Sequence, residues 1–238
     1  MGPHPGSQTG TTDPERWSEW SGRMRWAMAI NLRRCTGCYA CTIACQQEHF
    51  NPPGIFWNRL MILESGAHPF PMIQIYPVLC NHCREAICVK VCPAGATHQR
   101  VDGIVWIDQD RCVGCRYCIV ACPYQARSYN REKKYLGLVQ SLTEFGRLGK
   151  EIFPHQDGVA EKCNYCMEKI DAGLAQGLRP GADRDATPAC VNTCPTTARH
   201  FGDLDDPLSE VSIIIRERKG VPFHPEFGTD PCTFYYLD

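Results

Sequence analysis

The spacing of the cysteines limits this chain more than any other feature. Of its seventeen cysteines, sixteen fall into four groups of four. The first, CTGCYACTIAC, places Cys35, Cys38, Cys41 and Cys45 in a C-x2-C-x2-C-x3-C run, and the third, CVGCRYCIVACP, repeats it with Cys112, Cys115, Cys118 and Cys122. The second, CNHCREAICVKVCP, holds Cys80, Cys83, Cys88 and Cys92 with two extra residues before its third cysteine. The fourth is stretched furthest, with Cys163 and Cys166 in CNYC and then Cys190 and Cys194 in CVNTCP. Every group still ends in C-x3-C. Three thiolates delivered from one tight loop bind three corners of one cube, while the last cysteine sits on the following helical turn and points elsewhere.

This is the run of bacterial 4Fe-4S ferredoxins, in which the fourth cysteine serves a second cluster. Four such groups make two crossed pairs. The second and third groups are nearest neighbours, which assigns Cys80, Cys83, Cys88 and Cys122 to one cluster and Cys92, Cys112, Cys115 and Cys118 to its partner. The outer groups then pair, giving Cys35, Cys38, Cys41 with Cys194, and Cys45 with Cys163, Cys166 and Cys190. A zinc site uses two C-x2-C pairs, and Cys80/Cys83 or Cys163/Cys166 taken alone would suit it, but four complete quartets outweigh that reading. No C-x-x-C is followed by His, which removes covalent haem attachment. Cys232 stands outside the groups and reads as an ordinary thiol.

Length and charge narrow the class. A disulfide scaffold is usually small and secreted, whereas this chain has 238 residues and opens on a Gly-, Pro-, Ser- and Thr-rich stretch without an apolar signal core. No apolar run reaches the eighteen or so residues that cross a bilayer. The formal charge of −1 becomes clearly acidic once thiolate-bound clusters are added, which argues against nucleic-acid binding. No P-loop, dinucleotide or nucleophile-elbow motif is present, so no catalytic residue is expected in this chain.

The segments MAINL, MIQIYPVL and GIVWIDQD precede three of the groups and read as short strands; Pro93, Pro123 and Pro195 follow three of the fourth cysteines and end the local helical turn. The expected fold is α+β and loop-rich, with two interleaved dicluster-ferredoxin-like halves. Residues 1–26 form an arm, 27–60 with 155–205 the outer half, and 61–130 the inner half. An insertion over 131–154 is expected to include a short helix near Leu142 to Leu148, and 206–238 form a docking tail. Cluster ligation should supply much of the folding free energy. Basic residues beside the ligands, Arg84, Lys90, Arg111, Arg116, Lys162 and Lys169, are candidates for raising local potentials.

All four groups in order, together with PPGIFWNR (Pro52 to Arg59), KIDAGL (Lys169 to Leu174), FGDLDDPLSEVS (Phe201 to Ser212) and PEFGTDPCTFYYL (Pro225 to Leu237), resemble the four-cluster β subunits of the dimethyl sulfoxide reductase superfamily. The resemblance runs from about Arg25 to the C-terminus and carries the same crossed ligand pairing. Cys115 is kept where some relatives lose it and hold a three-iron cluster, which implies four 4Fe-4S clusters. It also implies a direction, with the Cys35, Cys38, Cys41 cluster nearest a catalytic subunit and the Cys112, Cys115, Cys118 cluster nearest a quinone-reactive membrane subunit. The expected partners are thus a large chain holding a molybdenum or tungsten pterin and a membrane anchor. The stretch GLAQGLRPGADRDATPAC, from Gly173 to Cys190, resembles the phenylacetyl-CoA oxidoreductase type.

The rival from another class is a freestanding polyferredoxin, a mobile electron carrier. The expected location is the cytoplasm, with membrane association through a partner, or the periplasm if a partner with a twin-arginine signal carries the folded chain. Arg33–Arg34 lies beside a ligand loop without an apolar core and is not such a signal.

Overall fold

The computed structural model describes residues 24–131 and 144–238. Strand β1 (Trp26–Asn31) is buried along its whole length and leads into the first cysteine loop, which is followed by helix α1 (Ala40–His49). A long hairpin of β2 (Asn58–Ser65) and β3 (Met72–Leu79) comes next, then α2 (Ile87–Lys90) and the pair β4 (Thr97–Gln99) and β5 (Val105–Ile107). Helix α3 (Tyr117–Val120) and β6 (Ser128–Tyr129) complete this stretch. Beyond it lie α4 (Glu144–Ile152), β7 (Ala160–Glu161), α5 (Met167–Ala175), α6 (Ala189–Asn192), β8 (Arg199–Asp203), α7 (Glu210–Glu217), β9 (Val221–Pro222) and β10 (Thr233–Tyr236).

Short elements separated by loops make the fold α+β. The central sheet runs β8-β1-β10-β9, with β1 antiparallel to β8 and parallel to β10. A strand flanked on both sides must be apolar throughout, which WAMAI satisfies. The strand expected in MIQIYPVL is β3; its outer end carries exposed Met72 and Ile73, and Val78 and Leu79 at its inner end are buried. The β6–β7 pair ties residues 128–129 to residues 160–161, so the inner and outer stretches share a ladder.

The C-terminal segment, expected from sequence to be a docking tail, has a structural role beyond that expectation. Its β9 and β10 join the central sheet, and Cys232, Thr233, Tyr235 and Tyr236 are buried. The Arg25 side chain donates to Cys232 Sγ at 3.0 Å, and burial pushes that thiol up to about 11, so Cys232 packs as a core residue. The N-terminal arm lies outside the described residues up to residue 23, and its expected end at 26 falls inside β1. Within the insertion, the helix expected near Leu142 to Leu148 is α4, two residues later in its start; Leu142 itself is outside the described residues.

Candidate metal centres

Each cysteine loop is held open by left-handed backbone at set positions. In the two C-x2-C-x2-C loops Gly37 and Gly114 have φ of +68° and +66°, and the residue after the second cysteine, Tyr39 or Arg116, also has positive φ. These turns aim three thiols inward from one short segment. Gly114 is required twice over, because a Cβ there would lie 2.1 Å from the Gly158 carbonyl oxygen. In the two C-N-x-C loops the third residue is again left-handed, His82 and Tyr165, and these two rings stack on each other at 3.8 Å between centroids.

The fourth cysteines share a second turn. After Cys92, Cys122 and Cys194 comes Pro, and the third residue on, Gly95, Gln125 or Thr197, has positive φ. The next N–H then reaches back to sulfur, from Ala96 to Cys92 Sγ and from Ala198 to Cys194 Sγ, both at 3.2 Å. Burial alone would raise these two thiols, but hydrogen bonds from the turn outweigh it and hold both below the ordinary range.

Helix α1, with Cys41 and Cys45, packs on α6, with Cys190 just before Cys194; α2, with Cys88 just before Cys92, packs on α3, with Cys118 just before Cys122. One cavity is lined by Cys35, Cys38, Cys41 and Cys194, and another by Cys80, Cys83, Cys88 and Cys122. Cys45, Cys163, Cys166 and Cys190 are all buried. Burial pushes the Cys166 thiol well up and its neighbours Cys190, Cys45 and Cys163 push it further. Cys118 faces Cys112 and also Cys88; Cys115 is exposed.

Of the basic residues expected to act on the clusters, only Lys162 is deeply buried, at 4% exposure. Its Nζ donates to the Cys163 carbonyl at 2.7 Å and to the Val105 carbonyl. Arg84 pairs with Asp230, Lys90 with Glu85, Lys169 with Glu48 at 4.0 Å, and Arg116 covers the Tyr129 ring. Arg111 lies at the surface with its Nη2 near Gly95.

Two arginines that the cysteine spacing does not single out lie deeper. Arg199 is 4% exposed; it donates to Asn58 Oδ1 at 3.0 Å and to Cys41 Sγ at 3.4 Å, and it faces Cys190 and Cys194. Arg127 is 6% exposed; it donates to Thr97 Oγ1 at 3.3 Å and faces Cys88, Cys118 and Cys80, while its Nη2 has no hydrogen-bond partner. A signal for them is present in the sequence, since both close the same turn, CPYQAR and CPTTAR. A third buried group, His49, has its Nε2 3.3 Å from Cys166 Sγ. Burial, with His155 and Lys169 nearby, lowers it to about 3, so the ring beside that sulfur is neutral.

These residues fit iron–sulfur clusters. A guanidinium buried without a carboxylate is costly unless an anion faces it, and among the described residues Arg127 and Arg199 face thiols instead. Burial pushes two of those thiols, Cys118 and Cys190, up toward their neutral form. A bound 4Fe-4S cluster would take these sulfurs as thiolates, and the cluster with its four thiolates would supply the missing negative charge. Among the described residues no three His, Cys, Asp or Glu side chains converge closely enough to hold a single metal ion.

Comparison with known proteins agrees with iron–sulfur chemistry. Two family models, each described as a 4Fe-4S dicluster domain, match residues 71–141 and 111–198, and a 4Fe-4S binding domain matches residues 33–48. The chain is therefore an iron–sulfur protein that carries several 4Fe-4S clusters. It is 36% identical to the iron–sulfur subunit ArrB of an arsenate respiratory reductase from Shewanella sp. strain ANA-3, over 89% of this chain and 96% of that one. It is 36% identical to the electron transfer subunit PhsB of a thiosulfate reductase from Salmonella typhi (76% and 78% covered) and 33% identical to the iron–sulfur cluster-binding subunit of a menaquinone reductase from Nitratidesulfovibrio vulgaris (90% and 89%). The chain belongs to the iron–sulfur subunits of the dimethyl sulfoxide reductase family and is an electron-transfer subunit, not a catalytic one. No helix among the described residues is long and apolar enough to cross a membrane.

Proposed function

We propose that this chain holds four 4Fe-4S clusters in crossed quartets: Cys35, Cys38, Cys41, Cys194; Cys45, Cys163, Cys166, Cys190; Cys80, Cys83, Cys88, Cys122; and Cys92, Cys112, Cys115, Cys118. The observation that carries this is the lining of the two cavities, each of which takes three thiols from one cysteine group and the fourth from another. The matching helix pairs, α1 with α6 and α2 with α3, support two ferredoxin-like halves with the inner one inserted into the outer. When bound, the clusters supply one-electron redox chemistry, converting a two-electron reaction elsewhere into single-electron transfers.

The chain's own residues arrange an entry, a middle and an exit. Cys38 and Cys115, the second cysteines of the first and third groups, are exposed, and apolar Tyr39, Val113 and Tyr117 beside them are exposed too. The quartet of Cys45, Cys163, Cys166 and Cys190 is buried, and the His82–Tyr165 stack joins its loop to that of Cys80 and Cys83. The two open ends suit docking of two redox partners, a pterin-containing molybdenum or tungsten catalytic subunit at the Cys38 end and a quinone-reactive membrane subunit at the Cys115 end. Membrane association then comes through the partner, and the compartment follows the catalytic subunit. The phenylacetyl-CoA type is one substrate class to test for that subunit.

Purification from native membranes tests this. The expected result is a stable complex containing a large molybdenum- or tungsten-bearing chain and about sixteen irons on this subunit, four for each cluster. A monodisperse, iron-loaded free chain would instead establish the polyferredoxin reading.

A further inference from the structure

Three buried cations lie among the four quartets, and none has a carboxylate partner among the described residues. Arg199 touches Cys41 and faces Cys194 of one quartet and Cys190 of the next. Lys162 binds the carbonyl of Cys163 in that second quartet and the carbonyl of Val105, which lines the third quartet's cavity. Arg127 faces Cys80 and Cys88 of the third quartet and Cys118 of the fourth. Resting on the quartets assigned above, we propose that Arg199, Lys162 and Arg127 are positioning residues that occupy the three successive gaps of the electron path and stabilise the reduced state of the clusters on either side.

The charge arithmetic favours this placement. Transfer of one electron adds one negative charge at the accepting quartet and removes one at the donating quartet, with no bond broken and no proton moved. A cation fixed between the two faces the extra charge wherever it resides, so it raises both potentials without favouring either direction. Buried in low dielectric, it acts far more strongly than the surface cations Arg84 and Lys90, whose charges solvent and carboxylates screen. Each cation is also anchored by neutral groups that cannot cancel it. Asn58 fixes Arg199 and itself donates to the Cys41 carbonyl at 3.2 Å, Thr97 accepts from Arg127, and two carbonyls accept from Lys162. Thr97 occupies the place in its own turn, CPAGAT, that arginine occupies in CPYQAR and CPTTAR.

The test is an EPR-monitored redox titration of the iron-loaded chain in its complex, comparing wild type with Arg199→Gln, Lys162→Met and Arg127→Gln and with the charge-keeping Arg199→Lys, Lys162→Arg and Arg127→Lys. Each neutral variant should lower the reduction equilibrium constant of the two adjoining clusters about tenfold, which for a one-electron couple is about 59 mV, and leave the distant clusters unchanged. The charge-keeping variants should restore most of the shift. Fully loaded neutral variants with unchanged potentials, or with all four shifted alike, would overturn the proposal. If a neutral variant does not load iron, its charge-keeping counterpart decides: normal loading and potentials support a charge role, and failure of both shows a role in shape alone and overturns it. Iron content of the wild type separates the two levels, because a value far from about sixteen removes the quartets themselves.

Discussion

Cysteine loops of this molecule share their backbone turns yet lie in different surroundings. CTGCYAC and CVGCRYC adopt the same left-handed turns, and CNHC and CNYC share a left-handed third residue, His82 and Tyr165. Yet the CNYC loop is closed over, with Cys163, Tyr165, Cys166 and Lys162 all buried, whereas the CVGCRYC loop leaves Val113, Cys115 and Tyr117 in contact with solvent. Loop conformation follows from thiol geometry and is therefore repeated. Burial differs because Tyr165 of the CNYC loop packs on the His82 ring and bonds Thr233 of β10, while the corner of the CVGCRYC loop at Cys115 stays open.

Removing all iron should erase the comparison altogether. Without the clusters, Arg127 and Arg199 are buried with no carboxylate facing them and the cysteine loops lose what ties them together, so chelation should abolish the cooperative melting transition and most far-ultraviolet circular dichroism. A sharp transition in the iron-free chain would show that packing, not ligation, holds the fold.

Single ligands should then separate the two ends of the range. Cys190→Ser, in the sealed quartet, should strip a whole cluster and sharply reduce the soluble yield. Cys115→Ser, at the exposed corner, should leave the protein folded and lose about one iron. Equal iron loss in the two variants would contradict the difference.

The His82–Tyr165 stack offers a smaller contrast. Tyr165→Ala removes a fully buried ring that also hydrogen-bonds Thr233 Oγ1 at 3.0 Å, and should cost about 3–5 kcal/mol in denaturant unfolding of the loaded chain. Tyr117→Ala, on the open loop, should stay within about 0.5 kcal/mol.

The glycines give the finest test. Both Gly37→Ala and Gly114→Ala strain a positive φ, costing about 1 kcal/mol. Only at Gly114 does the new methyl meet backbone, the Gly158 carbonyl; at Gly37 it meets the Ile75 side chain at 2.7 Å, which can rotate away. Thermal unfolding should place Gly114→Ala clearly below Gly37→Ala.

The cysteine groups and the turns that follow them were legible in the sequence because thiol spacing is local and bond geometry is strict. Residue types that act across the fold were harder to see. Arg127 and Arg199 recur at one step of a repeated turn, but a cation beside a cysteine is common, and only burial distinguishes them from Arg84 or Arg116. Lys162 was legible as a candidate yet not as a bridge, since its contact with Val105 spans 57 positions of the chain. The C-terminal strands were missed for a similar reason. TFYY carries no signal of its partner, and β10 finds β1 some two hundred positions away. The short strands before the cysteine loops were legible because each is a β-prone apolar run that precedes a cysteine group.

Anomalous diffraction at the iron edge from anaerobically grown crystals of the loaded complex tests the crossed ligation most directly. Crossed ligation predicts four cubane peaks in this chain, with Cys194 completing the cluster of Cys35, Cys38 and Cys41, and Cys122 completing that of Cys80, Cys83 and Cys88. A cluster ligated by Cys35, Cys38, Cys41 and Cys45 together would contradict it.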